Sequence, residues 1–99
     1  MDFAVESLKE NWNEFIPLAV DHWHETGRRN RQKFAPSYTK LIQHEQAGRL
    51  LMCTARVKDE MVGYAIKGEE ESHFLLPRYR KSGAKLLKFA EGKLEACCV

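Results

Sequence analysis

Two apolar runs of strand length, "RLLMCTARV" at 49–57 and "MVGYAIK" at 61–67, stand on either side of Lys58-Asp59-Glu60. β-branched, aromatic and other apolar residues on both sides of a short polar step predict an antiparallel hairpin. Its neighbours in sequence are then constrained. Gly68, Glu69 and Glu70 predict another turn, and "SHFLLP" at 72–77 a third strand. Pro77 halts that strand, because proline has no N–H to give to a ladder. Before the hairpin, "DFAVES" alternates as a short strand.

Helices are marked between and after these strands. Ser7-x-x-Glu10 reads as a capping box that closes free backbone donors at a helix start. Leu8, Trp12, Phe15, Ile16, Ala19 and Trp23 then fall at spacings of 4, 3, 1, 3 and 4, one apolar stripe. Pro17 inside the stripe predicts a kink or a division into two segments, and Gly27 an end. Pro36 suits the first turn of a second helix with Tyr38, Leu41, Ile42 and Glu45 on one side, stopped by Gly48. Leu87, Ala90, Leu94 and Cys97 mark a last helix. The order β-α-α-β-β-β-α predicts an α+β fold with an antiparallel sheet of about four strands, two N-terminal helices and one C-terminal helix. Its 99 residues suit a single domain.

Composition excludes some classes. With 30% charged residues, the chain has no apolar run near the roughly 18 residues a membrane span needs. The acidic "MDFAVESLKE" has no secretion h-region, which predicts a cytoplasmic protein. Cys53 and the adjacent Cys97 and Cys98 fit neither a disulfide framework nor a zinc knuckle. In "DHWHE", His22 and His24 point about 200° apart on a helix and cannot share an ion as i, i+4 ligands do. A net charge of +2 is too small to imply nucleic acid. The basic cluster "RRNRQK" at 28–33 lacks interleaved aromatics for base stacking and reads as a solvated loop.

The junction after "SHFLLP" carries the chemistry. Arg80, Lys81, Ser82, Gly83, Ala84 and Lys85 lie between a strand and a helix. Free N–H groups and the helix dipole make such a start attractive to anions, and pyrophosphate is a natural occupant.

"GRLLMCTARVKDEMVGYAI" followed by "FLLPRYRKSGAKLLKFAEGKL" resembles the GNAT superfamily of acetyl-CoA-dependent N-acetyltransferases. With "PLAVDHWHE", the likeness extends to small phage-encoded members and covers most of the chain. It implies that Phe74, Leu75 and Leu76 form the strand beside the pantetheine arm. It also implies that the loop of residues 80–85, with Arg80-x-x-Gly83, cradles the pyrophosphate of acetyl-CoA. Glu71 falls where relatives carry an acid and is the expected base, with His73 facing the same side of the strand. Lys85 stands where the family has a small residue, "KGEEES" is short where relatives extend a hairpin, and the sequence reads as a shortened version of the fold. That shortening predicts an apolar edge at Ser72 to Pro77, available to a second copy or a host protein. Two functions follow: acetyl transfer to an amine, or a catalytically inactive module, such as a phage accessory protein, that engages and modulates a host protein.

Overall fold

In the computed structural model, residues 1–27, 38–68 and 71–97 are described. The basic cluster at 28–33, Pro36, Glu69, Glu70 and Cys98 lie outside them, as do the side chains of Tyr38, Leu94 and Cys97. The elements are β1 (Asp2–Glu6), α1 (Trp12–His22), α2 (Tyr38–Gln46), β2 (Leu50–Val57), β3 (Glu60–Gly68), β4 (Ser72–Leu75) and α3 (Gly83–Cys97). A π-helical turn, Trp23–Gly27, follows α1, and a 3-10 segment, Pro77–Ser82, leads into α3. The α+β fold and its four-stranded antiparallel sheet, in the order β1-β2-β3-β4, match the sequence expectation.

The sheet is covered on both faces. One carries Phe15, Leu18 and Ala19 of α1, Leu41 and Ile42 of α2, and the large strand residues Met52, Tyr64, Ile66 and Phe74. The other carries Leu86 and Ala90 of α3 on Cys53, Ala55, Val62, Ala65 and Leu75. Small residues dominate the strands on that side, so α3 sits close. The hairpin runs are continuously apolar because both faces of the central strands are buried. Register shifts between Ala55 and Arg56, which pair with Gly63 and Met61 and leave Val62 as the extra residue of a bulge. Val62 therefore joins the α3 face while Met61 returns to the other.

Local details differ from expectation. The hairpin turn is the two residues Lys58 and Asp59, at φ 51° and 67°, and Glu60 already belongs to β3. Both centres at positive φ match the type I′ twist that suits a two-residue hairpin. Gly48, at φ 73°, closes α2. There Arg49 N–H donates to His44 O at 2.9 Å and Gly48 N–H to Glu45 O at 3.1 Å, a Schellman pair.

The capping box is replaced by something longer in range. Glu10 N–H does donate to Ser7 Oγ at 3.2 Å, but residues 8–11 form turns and α1 starts only at Trp12. Buried Leu8 gives its N–H to Glu45 Oε2 of α2 at 2.6 Å. Pro17 does not divide α1, which continues through it to His22. The π-helical turn beyond changes the angular step per residue, so Trp23 leaves the apolar stripe. It is half-buried and packs its ring 5.0 Å from that of His24.

Candidate functional site

Proline at the first position of Pro77–Ser82 fixes a helical φ directly after the strand. Leu76 still donates to Val62 O at 3.0 Å, and Tyr79 N–H then returns to Leu76 O at 2.8 Å. The expected loop over residues 80–85 is therefore helical throughout, 3-10 up to Ser82 and α from Gly83. Gly83 has φ −58° and ψ −42°, ordinary helical values, so its freedom is not used for a sharp turn. What its missing side chain provides is room: a Cβ there would meet nothing within 4 Å.

A cleft of about 620 Å³ lies between the outer edge of β4 and the start of α3. It brings together six residues singled out in the sequence: Glu71, His73, Phe74, Leu75, Arg80 and Gly83. Leu76, Lys81, Ser82, Ala84 and Lys85 are not among its lining residues. Lys81, Ala84 and Lys85 are exposed close by, whereas Leu76 lines a separate depression with Tyr79 and Arg78. Four lining residues were not among the expected catalytic or cofactor-binding residues: His22, Glu25, Ser72 and Leu87. His22 and Glu25 arrive from the end of α1, far away in sequence.

Arg80 is held against the surface of the fold. Its guanidinium pairs with Glu25, its Nε donates to Leu75 O at 3.2 Å, and its Cζ lies 5.8 Å from the centroid of the Phe74 ring. It thereby ties β4 to the π-helical turn. With side-chain exposures of 48% and 40%, the Arg80–Glu25 pair remains wet.

The β4 edge differs from the apolar strip expected of it. Its neighbour among the described strands is β3 alone. Phe74 and Leu75 are nevertheless buried, one on each face of the sheet. What remains outward is backbone. Leu76 N–H bonds Val62 O, and the register pairs Phe74 with Tyr64 and Ser72 with Ile66. By the alternation of an antiparallel ladder, His73 and Leu75 turn their N–H and C=O groups away from β3.

At the α1 end of the cleft, half-buried His22 places Nδ1 2.9 Å from Tyr64 Oη. Ser72 Oγ lies 3.5 Å from the same nitrogen. The imidazole stacks on Phe74, with centroids 5.3 Å apart and planes 20° apart. Burial lowers the His22 pKa from its ordinary 6.5, and the nearby His73 and Arg80 lower it further, against an opposing pull from Glu25. Burial pushes the Tyr64 hydroxyl up to about 12. Glu71 and His73 are both exposed.

Among the described residues, no three His, Cys, Asp or Glu side chains are grouped to hold a metal ion, and no helix is long and apolar enough to cross a membrane. Comparisons of the chain with protein-family models, curated proteins and solved structures found no match.

Proposed function

We propose that the cleft is a cofactor groove of the GNAT type, with acetyl-CoA along the edge of β4 and its pyrophosphate at the first turn of α3. One observation carries this reading: a single cleft unites the outward edge of β4 with the start of α3, lined by Phe74, Leu75, Arg80 and Gly83. The outward N–H and C=O of His73 and the N–H of Leu75, whose C=O accepts from Arg80 Nε, suit the amides of a pantetheine arm. Gly83 N–H already donates to Arg80 O, so it is the charges of Lys81 and Lys85, exposed beside the start of the 15-residue α3, that suit a pyrophosphate. The likeness of "FLLPRYRKSGAKLLKFAEGKL" to the family supplies the cofactor's identity. The activity is acetyl transfer to an amine, in a small cytoplasmic protein of the phage-encoded kind.

A second reading has its own support. Because Arg80 is already engaged by Glu25 and Leu75 O, the cleft can instead serve a non-catalytic module whose β4 edge pairs with a second copy or a host protein.

Calorimetric titration with acetyl-CoA distinguishes them, with Gly83→Glu as the control variant. The new side chain has open space, so folding is preserved. Its charge opposes a pyrophosphate. Micromolar binding that weakens at least about tenfold in the variant is expected for a cofactor groove. An absence of heat in the wild type would retire the cofactor and leave the β4 edge as a protein-binding surface.

A further inference from the structure

Glu71, the base expected from sequence, and His73, its expected catalytic neighbour, are both exposed at the rim. A different group in the same cleft is built as a proton acceptor. His22 is fixed on three sides: α1 carries it, Phe74 stacks against its face, and Tyr64 Oη holds Nδ1 at 2.9 Å. Tyr64 is itself immobile, 2% exposed, with its ring 4.8 Å from that of Phe15. Nucleophile-activating sites share this layout, in which a base is oriented by a further hydrogen-bonding group behind it.

We infer that His22 is the residue that accepts the proton of the acceptor amine in this cleft, with Tyr64 and Ser72 as positioning residues. This rests on the acetyl-CoA reading above. Nδ1–H donates to Tyr64 Oη, and the proton is taken at Nε2. A primary ammonium gives up that proton, and the neutral amine attacks the carbonyl carbon of the acetyl thioester. The C–N bond forms as the C–S bond breaks, and the thiolate leaves with the electron pair. The acetylated nitrogen then loses its second proton, which the thiolate takes up through solvent, and the imidazolium releases its proton to solvent. Four groups set the protonation of His22: Tyr64 from β3, His73 from β4, Glu25 from the π-helical turn and Arg80 from the 3-10 segment. Burial and two of these neighbours favour the neutral ring, the form a base requires near neutral pH.

The test uses the full chain, acetyl-CoA and a panel of primary amines comprising a polyamine, an aminoglycoside and a lysine-containing peptide, with acetylated product read by mass spectrometry. The wild type is expected to show kcat/KM rising with pH along a limb whose pKa lies below 6.5. His22→Gln should lower kcat by about 100-fold or more while binding acetyl-CoA as the wild type does. Tyr64→Phe keeps the ring but removes the acceptor that favours the imidazolium, so its acidic limb should move to lower pH. An imidazole titration of His22 by NMR, which needs no turnover, should show the same displacement.

Loss of acetyl-CoA binding in the wild type would overturn the cofactor reading and this assignment with it. Cofactor binding with no amine acetylated, or with His22→Gln as active as the wild type, would overturn the assignment alone. An unchanged His22 titration in Tyr64→Phe would remove Tyr64 from the positioning role.

Discussion

Two arginines sit at opposite ends of the sheet and are used differently. Arg56 of β2 is enclosed by acceptors: Glu6 Oε2 at 2.8 Å and Oε1 at 2.9 Å, Glu14 Oε2 at 2.8 Å, Asn11 Oδ1 at 3.1 Å and Asp59 O at 2.7 Å. The buried Thr54 hydroxyl adds a further donor to Glu6. β1, β2, α1 and the hairpin turn therefore meet on one guanidinium whose side chain is 18% exposed. Arg80 has fewer partners and is 48% exposed, beside an open cleft. A fully satisfied network fixes geometry, and its polar groups have little left for a ligand. The looser end keeps backbone groups, an imidazole and open space available.

Removing the two guanidiniums is the strongest way to test that contrast. Arg56→Ala leaves the Glu6 carboxylate, 20% exposed, without its partner in a packed corner. We expect a loss of about 3 kcal/mol in urea unfolding, the low end for breaking a buried charge network because some solvent reaches it. Arg56→Lys should recover only part, since an ammonium cannot match the forked contacts to Glu6 and Glu14. Arg80→Ala should cost less than about 1 kcal/mol, as exposed pairs do. Equal losses at the two positions would erase the distinction.

Gly63 tests the cleft end from within the sheet. A Cβ there would lie 2.3 Å from Leu75 Cδ1 and 2.7 Å from Phe74 O, and the second atom is backbone that cannot swing aside. Gly63→Ala should push β4 off β3 at a cost of about 2 kcal/mol. Amide exchange should accelerate at Phe74 and Leu76 while the β1–β2 ladder keeps its protection. Uniform acceleration across the sheet would mean that the two ends unfold together and the contrast is static only.

How much of this was legible in sequence depends on range. The hairpin, the third strand and the α2 stop at Gly48 are local patterns, and each fell where expected. Glu60 resembles turn chemistry, so the sequence predicts a turn one residue longer than the one that Lys58 and Asp59 complete at positive φ. "RYRKSG" looked like a loop on charge and glycine, yet proline at its start and helical values at Gly83 keep it wound. Of the cleft, the β4 and Arg80 side was visible as one contiguous motif. His22 was not, since its assignment depends on Tyr64, 42 residues away. Its sequence signal, a histidine beside His24 at the end of an apolar helical stripe, raises by itself only the question of a metal site. Glu45 capping Leu8 across 37 residues was hidden for the same reason.

Acid should separate the two ends by the smallest effect. Arg56 holds the Glu6 carboxylate below its ordinary 4.5, and burial holds His22 below its ordinary 6.5. For both groups the native state binds fewer protons than the unfolded chain at pH values between the lowered and the ordinary pKa, so stability falls as pH falls. The His22 contribution is complete above pH 6.5 and is lost first, as pH drops through its lowered native value. The Glu6 contribution is complete above pH 4.5 and is lost only on further acidification. Urea midpoints followed downward from pH 7.5 should therefore decline in two stages. His22→Gln should remove the first stage and leave the second, and Glu6→Gln should flatten the second and leave the first. A single stage abolished by either substitution would couple the Arg56 corner to the cleft, and the two regions could no longer be treated as independent.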